Sequence, residues 1–172
     1  MDAETLILAV LDAVPGKKIQ GRKRLQKMSY FALQKGADAN VRFFLHDFGP
    51  FSADIASATD LLAFLGDIEE EEIQLGRSRI YSKLYRLNDP SNVPEHLPSE
   101  VASAIKLLDE FTTIELEIAS TIFYFMSAES LDSARAIEAT KKLKPSKAQP
   151  GIVKRAQDAL SKVGLDEGGR AN

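Results

Sequence analysis

A chain of 172 residues, 44% hydrophobic and 27% charged, can bury a sizeable core and has the composition of a folded globular protein. The absence of cysteine excludes disulfides, thiolate nucleophiles, iron–sulfur clusters and cysteine-ligated zinc, and it fits a reducing, cytoplasmic setting. A formal net charge of −3 leaves nucleic-acid binding open, because screening beyond about 8 Å at physiological salt makes local patches matter more than the total.

The opening MDAETLILAVLDAV is acidic where a signal peptide is basic, and no apolar run is long enough to cross a bilayer, so no membrane partner is expected. Asp2 or Thr5 opens a first helix with Leu6, Ile7, Val10, Leu11 and Val14 at helical spacing, and Pro15-Gly16 ends it. An acid-free basic run follows, comprising Lys17, Lys18, Arg22, Lys23, Arg24 and Lys27. A second helix from Arg22 to Lys35 buries Leu25, Met28, Phe31 and Ala32, with Lys23, Lys27 and Tyr30 aligned on its other side. Val41 to Asp47 reads as a short strand, Phe48 to Phe51 as a turn, and Ser52 as the cap of a third helix. That helix runs to about Leu65, burying Ile55, Thr59, Leu62 and Leu65, and Gly66 stops it.

Ile68–Leu75 and Ser78–Leu87 read as two strands joined by Gly76-Arg77 in a type II′ turn. In that register Ile73 faces Ile80, Gln74 lies by Arg79, Glu72 by Tyr81 and Glu70 by Lys83. The proline-bearing stretch Asn88–Leu97 is the best linker, and four helices follow it. The first is marked by Val101, Ile105 and Leu108. Thr112 and Glu115 make a capping box for a second, apolar all round and therefore central. A third spans 131–143, and a fourth, from Gly151 to Val163, buries Ile152, Ala156, Leu160 and Val163. The expected fold is thus mainly α with a small β-hairpin (α+β). A winged-helix-like module covers 1–88 and a helix-turn-helix-like module covers 98–165, either separate or merged with the first. A frayed tail covers 166–172.

Nothing in this pattern calls for catalysis, a metal or another cofactor. His46 and His96 have no companion ligands at metal-binding spacing, and the carboxylates of Glu69–Glu72 alternate across a strand rather than converge. No nucleophile elbow or phosphate-cradling loop is present. The expected role is a non-enzymatic regulatory module that binds nucleic acid. Lys17, Lys18, Arg22, Lys23, Arg24 and Lys27 would contact phosphates, with Arg77 and Arg79 assisting from the wing. One feature opposes direct base reading: the third helix carries Asp54 and Asp60 and no basic residue. The alternative is a protein–protein adaptor of antitoxin or defence-system type.

GRKRLQKMSYFAL (Gly21–Leu33) and HDFGPFSADI (His46–Ile55) resemble the G-x-x-x-L-Q-K-x-x-Y-F and Y-G-P-Y-S pattern of the YwgA-like proteins, which are related in pattern to the Panacea domains of SocA-type antitoxins. IELEIASTIFYF (Ile114–Phe125) and the stretch from Lys142 to Leu165 are similar to the C-terminal part of the same family. The resemblance implies a helical, winged-helix-like module without catalysis, and its antitoxin relatives act by binding a toxin and protease machinery. Phe48 and Phe51 stand where the pattern has tyrosines, so any role of those hydroxyls is missing. Within the shared residues, Leu25 and Met28 suit a core, Gly49-Pro50 a turn and Ser52 a cap. Gln26 and Lys27 are the two that core packing does not require.

Overall fold

A computed structural model describes residues 1–77 and 79–167, so most of the expected tail lies outside the described residues. Helix α1 (Ala3–Ala13) is capped by Asp2, whose carboxylate accepts the Thr5 N–H at 2.9 Å. It buries six consecutive residues, Leu6 to Leu11, because neighbours lie on several sides. A short 3-10 turn over Pro15–Lys17 leads into β1 (Lys18–Gln20), and Gly21 turns the chain into α2 (Arg22–Gln34). Strands β2 (Phe44–His46) and β3 (Gly49–Phe51) form a small hairpin. Helix α3 (Ala53–Leu65) begins at Ser52, whose hydroxyl accepts the Ile55 N–H, and ends at Gly66 with φ 83°.

Strands β4 (Ile68–Gln74) and β5 (Tyr81–Leu87) follow, and β1 adds to the free side of β5, giving an antiparallel sheet of order β1–β5–β4. The C-terminal helices are α4 (Ser99–Leu108), α5 (Thr113–Ser127), α6 (Ser133–Leu143) and α7 (Pro150–Lys162). The Thr112–Glu115 capping box is present at the start of α5. The architecture is α+β, with helices dominating and two small antiparallel sheets. No helix is long and apolar enough to cross a membrane, among the described residues.

One hydrophobic cluster runs through the whole described fold. Helix α5 is its axis, packing against α2, β3, α6 and α7, while α1 packs against α2, α3 and α4. The stretch between β5 and α4 tucks Val93 and Leu97 into that cluster rather than bridging two separate cores.

Several local expectations are corrected. The basic run contains a strand, β1, whose Ile19 is buried and whose backbone completes the sheet edge. The supposed turn after His46 includes β3, and β2 is limited to three residues. In the β4–β5 pair, Ile73 faces Ser82, Glu72 faces Lys83 and Glu70 faces Tyr85, a shift of two from the expected register. Closure occurs through the Leu75 N–H on the Ile80 carbonyl at 2.9 Å, so the connection extends beyond Gly76-Arg77. A shift of two keeps every side chain on its own face, which is why alternation could not separate the two registers. Burial of Ile68, Tyr85 and Leu87 at the base fixes the pairing instead. Lys83 still reaches Glu70, diagonally, at 2.7 Å.

The single-core arrangement has a direct consequence. Replacing the fully buried Leu116 of α5 by alanine is expected to lower stability by about 2–5 kcal/mol. Urea unfolding followed by circular dichroism should show one transition moved to lower denaturant. Two separable transitions, only one of them shifted, would contradict a shared core.

Candidate binding site between α2 and α3

Two polar side chains of α2, Gln26 and Lys27, are directed at the β3–α3 junction. Gln26 clamps Ser52 from both sides, its Nε2 donating to the Ser52 carbonyl and its Oε1 accepting the Ser52 N–H, each at 2.9 Å. The next residue, buried Lys27, donates from Nζ to the Pro50 carbonyl at 2.6 Å. The two residues assigned no packing role from sequence are thus the ones that hold the hairpin and the cap of α3 in place. Tyr30, expected on an outer face with Lys27, is equally buried, its ring edge-on to Phe31, Phe43 and Phe123.

Gly49 shows how closely this hairpin approaches α5. Its φ is +83°, and a Cβ there would lie 2.7 Å from Thr121 Oγ1 and 3.5 Å from Lys27 Nζ. Below it sits Glu117 of α5, only 2% exposed. Its carboxylate accepts from Lys144 Nζ at 2.9 Å and from Lys147 Nζ at 2.8 and 3.0 Å. Lys144 also donates to the Asp47 carbonyl. Burial pushes the Glu117 carboxyl up, but the hydrogen bonds from Lys147 and Lys144 outweigh it and hold the group below its ordinary value. Burial acts the opposite way on Lys27, pulling the ammonium down to about 7. Glu117 opposes that shift, whereas Lys144, Lys23 and Lys147 reinforce it.

Above this cluster lies a cleft of about 310 Å³ between α2 and α3. Phe48, Phe51, Ile55, Ala56 and Thr59 line it, together with Arg22, Lys23, Gln26 and Lys27. Lys23 Nζ stands 3.7 Å over the Phe48 ring and Lys147 Nζ lies 5.0 Å from the same ring. Such contacts contribute about 0.5–1 kcal/mol each at exposed sites.

The eight expected phosphate-contacting residues are dispersed by the fold. Arg24 is buried, donating to the carbonyls of Phe111 and Asp109 at 2.5 and 2.7 Å and to the Asp109 carboxylate at 3.0 Å. Lys27 is buried at Pro50, and Lys17 is paired with Asp12. Arg22 bonds Asp60, lies 3.6 Å from Glu70 and donates to the Tyr85 hydroxyl at 3.0 Å. Lys18 lies in strand register with Arg86, which itself pairs with Glu69. Arg77 and Arg79 are exposed at the far end of the β4–β5 hairpin. Arg22, Lys23 and Lys27 are brought together at this cleft, whereas Lys18 and Arg24 line a separate, open one beside β1 and Asp109. Tyr85 of β5 is fully buried.

Sequence reasoning overlooked Glu117 and its pairing with Lys144 and Lys147. The available signal was a carboxylate in the otherwise apolar run IELEIASTIFYF, which must find a partner once that helix is central. The histidines have local roles: His96 Nδ1 is 3.1 Å from Asp12, and His46 stacks obliquely on Phe48 and Phe51. No family model matches this sequence, and no curated protein matches it.

The buried charges generate opposite pH dependences. Glu117, with its pKa depressed on folding, stabilises the fold above its ordinary value of 4.5 and loses that contribution as pH falls through the lower folded value. Lys27 binds its proton less readily when folded, so its contribution rises with pH between about 7 and 10.5. Glu117→Gln should cost about 3–5 kcal/mol at pH 7, because it leaves Lys144 buried without a counter-charge. Lys27→Met should remove the alkaline rise. Unfolding free energies of the wild type and both variants across pH 3–10 check both statements, and parallel curves would refute them.

Proposed function

We propose that the protein is a non-enzymatic, winged-helix-type adaptor that binds another protein through the outward face of α3. The observation that carries this is the exposure of Phe64 (86%), Leu65 (62%) and Leu61 (43%) on that helix. Their i, i+3 and i, i+4 spacing makes them one apolar ridge, and Leu65, expected in the core, belongs to it. Asp54 and Asp60 are also exposed on α3, and the helix itself carries no basic residue. An apolar helical ridge suits a hydrophobic groove on a partner. It does not suit the major groove, where arginine, lysine, asparagine or glutamine reach base edges. The sheet order β1–β5–β4 beside α1, α2 and α3 supports the winged-helix assignment, in which α3 holds the recognition position. The resemblance to YwgA-like proteins and Panacea domains points in the same direction, as analogy.

A nucleic-acid-binding role is the second reading, favoured by the exposed Arg77 and Arg79 at the hairpin end. Half of its proposed footprint is engaged within the protein, with Lys17, Arg22, Arg24 and Lys27 each bonded to an internal acceptor. Two of the three basic residues of α7 are similarly occupied, Arg155 by Glu115 and Lys162 by Glu110.

The two are separated by one pair of variants. Phe64→Ser combined with Leu65→Ser is expected to retain the wild-type circular dichroism spectrum and to lose a stoichiometric protein partner captured from a nuclease-treated lysate. Arg77→Glu with Arg79→Glu should leave that capture intact. The adaptor role fails if the serine variant captures the same partner as wild type. It fails equally if the protein binds a mixed-sequence duplex with an affinity that falls steeply with salt and is lost in the glutamate variant.

A further inference from the structure

The α2–α3 cleft has an apolar body and a cationic end. Phe51, Ile55 and Ala56 contribute its walls. The Thr59 hydroxyl donates to the Ile55 carbonyl at 2.7 Å, and both ends of the Gln26 amide are taken by the Ser52 backbone. Arg22 is held by Asp60 and the Tyr85 hydroxyl. What remains is the pair of ammonium groups on Lys23 and Lys27. Among the described residues neither has a carboxylate within ion-pair distance: Lys23 rests on the Phe48 ring and Lys27 on the Pro50 carbonyl. Around them, Lys144 and Lys147 share the single buried carboxylate of Glu117, so this end of the cleft carries excess positive charge. Partly removed from water, that excess acts more strongly on an anion than a surface patch does.

We propose that this cleft binds a small amphipathic carboxylate, its apolar body between Phe51, Ile55 and Ala56 and its carboxylate at Lys23 and Lys27. The volume of about 310 Å³ lies at the lower end of ligand pockets, roughly 300–1,000 Å³, and favours a short acyl or single-ring acid over a nucleotide. The proposal is independent of the α3 docking ridge. Ile55, Ala56 and Thr59 lie on the side of α3 that lines the cleft, whereas Leu61, Phe64 and Leu65 lie on its outer side.

Isothermal titration with octanoate, and with 1-octanol as its uncharged counterpart, tests the proposal. Octanoate should bind at one site, at least tenfold more tightly than 1-octanol. Lys23→Met should erase most of that difference while leaving 1-octanol unchanged. Ala56→Phe, which fills the cleft, should abolish both, and Phe64→Ser should leave octanoate binding intact even though it removes the proposed protein contact. Equal affinity for the two ligands, no octanoate binding at millimolar concentration, or octanoate binding unchanged in a folded Ala56→Phe protein would each overturn the site. Should Ala56→Phe fail to fold, the exposed Lys23→Met substitution decides alone, and undiminished octanoate selectivity in that variant refutes the proposal.

Discussion

Glu117 is the point at which the two ends of the chain are tied together. A carboxylate moved into a helix-packed interior loses several kcal/mol of hydration, so it persists there only with counter-charges in good geometry. Lys144 and Lys147 provide them from the segment after α6, and Lys144 extends the connection to the Asp47 carbonyl in the first hairpin. The apolar core alone would accept α5 in several rotations, because its buried residues lie on several sides. One buried charge with two fixed partners selects a single rotation. Selection of one arrangement, rather than added net stability, is what such a pair best accounts for.

The same logic explains the residues of the motif around the first hairpin. Gln26, Lys27, Gly49, Pro50 and Ser52 make one interlocked unit: two side chains of α2 take up the backbone groups that the β3–α3 junction leaves unpaired. A backbone carbonyl buried without a donor costs about 1–3 kcal/mol, so Lys27 satisfies Pro50 while giving up much of its own hydration. Gly49 is needed because the hairpin lies directly on Thr121 and the Glu117 carbonyl. Structure therefore accounts for Gln26 and Lys27 before any ligand is considered. What it does not account for is the surplus of ammonium groups over carboxylates at that spot.

Elements with a strong local signal were legible in the sequence. The Ser52 and Thr112 caps, the Gly66 stop and the all-round apolarity of α5 each follow from one or a few neighbouring residues, and the choice left between Asp2 and Thr5 falls to Asp2. What was not legible depended on distant partners. β1 is three residues long and exists because β5 offers an edge, so KIQ inside a basic run carries no strand pattern of its own. Lys27 and Tyr30 continue a plausible outer stripe of α2, and only the arrival of β3 and α5 on that side buries them. Leu65 has core spacing, yet it is the last residue of α3 and lies beyond the reach of α1 and α2. The cleft was legible only in part: three of its cations were singled out, but its aromatic and aliphatic walls come from the hairpin and α3.

Charge in sequence and charge in space diverge most in the basic run, and this bears on function. Six cations within eleven positions look like a single positive surface. Folding sends Lys17 to Asp12, Arg22 to Asp60, Arg24 to the Asp109 corner and Lys27 into the interior. Each engaged partner shortens the range of the field, since a neutralised pair falls off faster than a lone charge and is screened within about 8 Å at physiological salt. The residual potential is therefore local, concentrated where Lys23, Lys27, Lys144 and Lys147 face one carboxylate beside an apolar cleft. A surface of that kind is poorly matched to a regularly spaced row of phosphates. It is well matched to a ligand that brings one negative group and a small apolar body. The outer side of α3 presents the complementary case, an apolar ridge in which no cation competes for a protein partner.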